Sequence, residues 1–252
     1  MIEMSGIVDV FLRSYEQWSY RDATNKELSS RLKAGRPLIE AMHVKDSREV
    51  SVSTSFEAAS YILRTGSDNG LKNHIDQALA QSAEYAALRR RMPQPDPHAL
   101  IAYQNRFTED DMAAADIAIE QYGITLADGQ ILFHGGFWKN PPDTILTTSR
   151  PFSTSFCPQV ALRNAEWKAK AYHAGEINLM VVRVHRPQTK AYILRLDGEK
   201  GNEKEVVFAS GAKLALMNKT FICQTRVYGE WSSNGGSPSK DVPAFVLEVN
   251  IS

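Results

Sequence analysis

Three prolines in five residues, Pro93, Pro95 and Pro97, limit how this chain can fold more than any other feature. Each fixes its own φ, lacks an amide proton and restricts the residue before it, so neither a helix nor a central strand continues through residues 92–97. The character of the chain changes across this break. Before it, apolar residues recur at helical spacing; after it, they fall in short runs with strand-like alternation. The expectation is an α+β protein in two parts. Residues 1–95 form a helical N-terminal region that packs on the rest or binds a partner, and residues 96–252 form a mostly β unit.

In the first part the helical pattern covers 6–20, through Ile7, Val10, Phe11 and Tyr15, and then 57–64 and 71–91. After the prolines, Thr108 can cap a helix over 108–122, with Asp110 and Asp111 in its first turn and Gly123 as its stop. Strand-like runs follow at 130–134, 151–155, 177–185, 190–194, 204–209, 213–217, 221–227 and 244–251. One helix over 158–173 interrupts them, with Pro158 suited to its first turn. Loops are expected at 139–143, 197–202 and 232–243. The tetrapeptide Ser-Thr-Ser-Phe occurs at both 53–56 and 153–156. The stretch around the first copy is too short for a comparable β unit, which favours chance over duplication.

Composition excludes several classes. The 252 residues carry 29 basic and 29 acidic side chains, so no strongly cationic coat for nucleic acid exists, although a local basic groove is compatible. Cys157 and Cys223 alone cannot make a disulfide-rich scaffold or a cysteine-based zinc cluster. Apolar runs such as 177–184 are interrupted by Asn178 and Arg183 and are too short to cross a bilayer. No basic stretch followed by an apolar run opens the sequence. A cytoplasmic protein is expected, or one secreted or delivered without a cleavable signal; no membrane partner and no metal are expected.

Three segments carry candidate chemistry. In Ile131-Leu132-Phe133-His134-Gly135-Gly136 an apolar strand delivers a histidine, and the glycines let a ligand approach the backbone; an ordinary strand end would look the same. In Pro151-Phe152-Ser153-Thr154-Ser155-Phe156 alternation places Ser153 and Ser155 on one face, where they could orient a carboxylate or form a plain polar surface. In Glu203-Lys204-Glu205-Val206-Val207-Phe208 two carboxylates spaced by two share a strand face. Held close, they raise one another's pKa; left in solvent, they are part of a charge cluster over 199–205.

Taken in order, His134-Gly135, Ser153-Thr154-Ser155 and Glu203-Lys204-Glu205 resemble the motifs of the mono-ADP-ribosyltransferase family. The surroundings agree: Phe152 precedes the serines, Val160-Ala161 begins the following helix, and 177–187 and 191–193 read like the next two strands. The resemblance covers about residues 100–252. In one respect the chain is a hybrid. In this family Ser-Thr-Ser and Glu-x-Glu usually travel with arginine at the first motif, whereas histidine belongs to the diphtheria-toxin-like and poly-ADP-ribose-polymerase branch.

The resemblance implies a two-sheet β-sandwich with a cleft for NAD, which serves as substrate. Its reaction breaks the bond between nicotinamide and ribose through an oxocarbenium-like transition state. Glu205 would meet the positive charge, Ser153 would hold Glu205, and Glu203 would act on the acceptor as general base. His134 would bind the ribose and the Gly135 backbone the nicotinamide amide, with Ser155 a lesser contributor. Arg150 and Arg163 are the candidates for the diphosphate. Phe152 or Trp167 could stack on nicotinamide, but alternation points Phe152 away from the two serines, and the role is assigned to neither. The acceptor is a macromolecule, protein arginine first and nucleic acid second. The setting is a bacterial or phage toxin or effector with a possible immunity or antitoxin partner. The alternatives are an NAD glycohydrolase and a catalytically degenerate NAD- or partner-binding module.

Overall fold

The computed structural model describes residues 6–106, 108–138, 141, 144–198, 200–231 and 236–252. The expected loops at 139–143, 197–202 and 232–243 lie partly outside these residues. The first part is not uniformly helical. Strand β1 (Tyr15–Asp22) and strand β2 (His43–Val52) form an antiparallel pair, with helices α1 (Asn25–Lys33) and α2 (Leu38–Met42) inserted between them. The helix expected over 6–20 is absent. Val8, Val10, Phe11 and Tyr15 are all buried, but Val8, Val10 and Phe11 lie in irregular chain and Tyr15 opens β1. The apolar spacing there records burial, not a helical period.

Helices α3 (Ser55–Thr65), α4 (Asn69–Gln81) and α5 (Ala83–Arg90) follow. The first Ser-Thr-Ser-Phe begins α3, because Thr54 caps it and Glu57 completes a capping box, contacts worth about 1 kcal/mol. In α4, Leu71, Ile75 and Leu79 bury one stripe, and Asp68 caps the helix while accepting from the Tyr15 and Tyr61 hydroxyls. The prolines end α5, and Asp96 between them is buried against Arg89 at 3.1 Å, with the Tyr192 hydroxyl 2.8 Å away. Helices α6 (His98–Asn105) and α7 (Glu109–Tyr122) complete this layer.

The remaining strands are β3 (Ile131–Gly135), β4 (Ile145–Thr147), β5 (Phe152–Ser155), β6 (Ile177–Val184), β7 (Ala191–Ile193), β8 (Glu205–Phe208), β9 (Lys213–Tyr228) and β10 (Ser239–Ile251). They bond in the order β4-β9-β10-β6-β3-β5-β8-β7, all antiparallel except β10 with β6. The two runs expected at 213–217 and 221–227 are one strand, β9. The link between β3 and β5 is a single residue pair, Phe133 with Ser155. The sheet is therefore two wings, five strands and three, hinged at that pair.

Helix α8 (Pro158–Glu166) lies on β3, and Gly135 permits this contact. A Cβ at Gly135 would sit 1.7 Å from the Ala161 carbonyl oxygen. The helix expected over 158–173 breaks at Trp167–Ala169, where Lys168 and Ala169 take φ of 53° and 55°, before α9 (Lys170–Ala174) resumes. One continuous apolar core runs from Val8 through α3, α4 and α8 to Ile251, so the two parts of the chain share their hydrophobic interior.

Candidate active site

His134 lies near the end of β3, opposite Met180 of β6. Its Nδ1 is 2.6 Å from the Ser153 carbonyl oxygen. A carbonyl only accepts, so Nδ1 carries the proton. The ring keeps part of its surface open but is enclosed by protein atoms. That burial, reinforced by the Lys170 and Arg150 cations and only partly opposed by the Ser153 bond, pushes its pKa down to about 4. At neutral pH the imidazole is uncharged, and Nε2 presents a lone pair that can accept from a hydroxyl. Phe152 packs on this ring, with centroids 4.3 Å apart.

Glu205 opens β8, opposite Ser155, while Ser153 pairs with Val207. The Ser153 hydroxyl reaches diagonally across the pair and donates to Glu205 Oε1, a span that a glutamate side chain can cover. The other oxygen, Oε2, accepts from Gln104 Nε2 at 2.6 Å. Glu205 is only 8% exposed, so it is not the surface side chain that its place at the loop-to-strand boundary suggests. Burial raises its pKa above the usual carboxylate range; the Ser153 and Gln104 bonds pull it back in part, and the Glu203 charge pushes it further up.

Gln104 has no counterpart among the residues singled out in the sequence. It stands on α6, and its own carbonyl accepts from Lys200 Nζ. No local pattern marks it; only the packing of α6 on the three-stranded wing brings it to Glu205.

The two glutamates are not on one strand face. Glu203 ends a short 3₁₀ turn, Gly201–Glu203, and Lys204 takes φ of 49° before β8 begins. That reversal cancels the alternation on which the same-face expectation relied. Glu203 remains close enough for its charge to act on Glu205. Its carbonyl accepts from the Ser155 hydroxyl at 2.7 Å, and the same hydroxyl accepts from Cys157 N at 3.0 Å. Ser155 is buried and committed within the chain, bracing Glu203 while Ser153 holds Glu205.

Arg150 is exposed, and its charge acts on His134, Lys170 and Tyr103. Arg163 is exposed on α8 and shares none of these effects. Lys170, which the sequence reading passed over, is the second cation beside His134. Burial first, then Arg150 and Lys168, lower its pKa. Trp167 is 50% exposed, with Lys168 Nζ 4.5 Å and Lys170 Nζ 5.3 Å from its ring centre.

The assembly combines a buried carboxylate held by two donors, a neutral imidazole acceptor and a nearby pair of cations. It can stabilise a developing positive charge, accept from a hydroxyl and attract an anion. Among the described residues, no group of three His, Cys, Asp or Glu could hold a metal ion, and no helix is long and apolar enough to cross a membrane. A surface groove of about 800 Å³ lies elsewhere, lined by Tyr20, Arg31, Arg36, Ile39, His43 and Lys45 among others. A cavity of about 140 Å³ adjoins the site beside Gln104, Arg195, Lys200 and Gly201.

No protein-family model and no curated protein matches the sequence. Among solved structures the chain is similar to the Vis toxin, an ADP-ribosyltransferase from Vibrio splendidus, at 12% identity and a TM-score of 0.32, covering 92% of this chain and 88% of that one. It is also similar to C3larvin toxin, an ADP-ribosyltransferase from Paenibacillus larvae, at 11% identity and a TM-score of 0.38, covering 67% and 92%. A third is exoenzyme S from Pseudomonas aeruginosa, bound to human 14-3-3 protein beta and carba-NAD, at 14% identity and a TM-score of 0.32, covering 77% and 82%.

Proposed function

We propose that the chain is a mono-ADP-ribosyltransferase that moves ADP-ribose from NAD to a macromolecular acceptor and releases nicotinamide. One observation carries this: the Ser153 main chain and side chain join His134 to Glu205, so the three sequence motifs meet in one hydrogen-bonded chain. Glycosidic cleavage at ribose needs a carboxylate beside the carbon that becomes positive, and Glu205 is preorganised for that by Ser153 and Gln104.

In the proposed reaction the bond from ribose C1′ to the nicotinamide nitrogen breaks, and its electron pair leaves with nicotinamide. Ionised Glu205 stabilises the positive charge left on the ribose and accepts from its hydroxyl. The acceptor forms a bond to C1′ and gives its proton to Glu203. His134 Nε2 accepts from a ribose hydroxyl, and the Gly135 backbone binds the carboxamide. Arg150 and Lys170 hold the diphosphate, with Arg163 a further candidate; Ser155 acts through Glu203. Catalysis resides in 96–252, while 1–95 supplies packing and a partner surface, the groove at Arg31, Arg36 and Lys45 being its best candidate. The setting is a toxin or effector, cytoplasmic or delivered, with an immunity or antitoxin partner. Protein arginine is the first-choice acceptor, in keeping with Glu-x-Glu, and nucleic acid the second.

The test is incubation of the protein with adenylate-labelled NAD and cell lysate, followed by protease or nuclease. Protease-sensitive label is expected; nuclease-sensitive label moves the acceptor to nucleic acid. Free nicotinamide without labelling makes the chain a glycohydrolase, and silence on both counts leaves a binding module.

A further inference from the structure

We propose that Lys204 and Asp76 form a positioning pair that fixes Glu203 relative to Glu205 and so favours transfer to the acceptor over loss of ADP-ribose to water. The inference rests on the transferase function above and adds a role for a residue of the helical part.

Lys204 stands between the two glutamates, yet it is only 2% exposed. Its Nζ is 2.8 Å from Asp76 Oδ1 on α4 and 3.2 Å from the Asn202 carbonyl oxygen. Lys72, one turn before Asp76, holds the other carboxylate oxygen at 2.9 Å. A lysine drawn out of water needs such partners, since an unpaired ammonium in this position would be strongly disfavoured. The backbone at Lys204 is also in the left-handed region, which disfavours any residue with a Cβ. Its amide donates to Gly201 O at 3.1 Å, and its carbonyl accepts from Phe156 N at 3.2 Å. Side chain and main chain together pin the reversal that separates the 3₁₀ turn from β8.

The two glutamates depend on that reversal unequally. Glu205 has its own anchors in the β5–β8 pairing, Ser153 and Gln104. Glu203 is held through its carbonyl by Ser155, and no described side chain bonds its carboxylate. The Glu203 amide donates to the Lys200 carbonyl at 2.9 Å, so the carboxylate is aimed by the main chain of the turn, which Lys204 closes on the β8 side. Releasing Lys204 frees Glu203 first and leaves Glu205 in place.

The experiment measures nicotinamide release and label transfer side by side for the wild-type chain, Asp76→Asn, Lys204→Met, the double variant and Asp76→Glu. Lys204→Met leaves no buried charge behind, so it reports even where Asp76→Asn lowers stability. Each single change is expected to reduce transfer about tenfold, the order of one lost charge-assisted hydrogen bond, while release stays within about threefold. The double variant should be no worse than either single, the signature of a shared interaction, and Asp76→Glu should restore transfer. Equal loss of transfer and release in both singles, or no loss in either, overturns the pair's role while leaving the transferase function standing. A wild-type chain that neither transfers nor releases nicotinamide removes that function and this proposal with it.

Discussion

Ser153 donates its hydroxyl to the Glu205 carboxylate across a diagonal of the β5–β8 pair, while its own carbonyl accepts from His134. Only the first bond uses the side chain. Ser153→Ala should therefore reduce kcat by roughly 10- to 100-fold, the range for losing a hydrogen bond to a charged group, and leave KM for NAD nearly unchanged. Steady-state nicotinamide release checks this; a KM effect with normal kcat would place Ser153 on the substrate instead.

Glu205→Gln should abolish both steps, with a loss of about 10²–10³ or more. It should also raise the melting temperature at pH 7.5. The sign follows from linkage. The folded pKa lies above the unfolded one, so the buried charge opposes folding at neutral pH, and that penalty disappears as pH falls through the folded value toward the unfolded value near 4.5. The Gln104 amide can turn over to suit the new side chain. The melting advantage of the variant should thus shrink on acidification, as scanning calorimetry between pH 4.5 and 7.5 would reveal. A variant that melts lower than wild type at pH 7.5 contradicts it.

His134 should stay neutral, protonated at Nδ1, down to about pH 4. Its depressed pKa contributes stability that is fully present above the unfolded value near 6.5 and is lost as pH falls from there toward 4. Nitrogen chemical shifts of the labelled imidazole report both the tautomer and the titration. A midpoint near 6.5, or a proton on Nε2, would remove His134 as the hydroxyl acceptor.

Gln104→Leu removes a donor that helps hold Glu205 ionised. The Glu205 pKa should rise further, so the acidic limb of the pH–rate profile moves to higher pH, with plateau activity reduced about tenfold. An unshifted limb would show that Gln104 only packs.

Gly135→Ala should fail as a fold rather than as a catalyst. The added methyl meets the main chain of α8, which cannot yield as a flexible side chain can. Overpacking of this kind costs about 1–3 kcal/mol or more, which for a chain of this size lowers the melting temperature by several degrees.

The residues legible in the sequence were those whose role depends on their neighbours along the chain. His134, Ser153 and Glu205 each sit at a strand end or within a strand whose alternation is written locally, and the α+β class followed from the change of period, although the first part also holds the β1–β2 pair and α6 and α7 follow the prolines. Gln104 and Lys170 were not legible, because nothing around them is distinctive until α6 and α9 are packed. The partner of Lys204 lies on another element, 128 positions away in sequence. Glu203 was read on the wrong geometry, since one left-handed residue overrides a period-two pattern. The segment over 6–20 misled for a related reason: Val10 and Phe11 enter the core from irregular chain, and apolar spacing alone cannot distinguish that from one face of a helix.

The hinge between the two wings has an effect on heredity as well as on shape. Had β3 and β5 continued their register, Ser153 would lie opposite Gly135 and its carbonyl would be spent on the ladder. Because the strands part after one pair, that oxygen is left for His134. The proton on the imidazole is thus assigned by a main-chain atom, which every amino acid supplies equally. Substitution of the side chain at position 153 can silence the glutamate's support but leaves in place the carbonyl that serves the histidine.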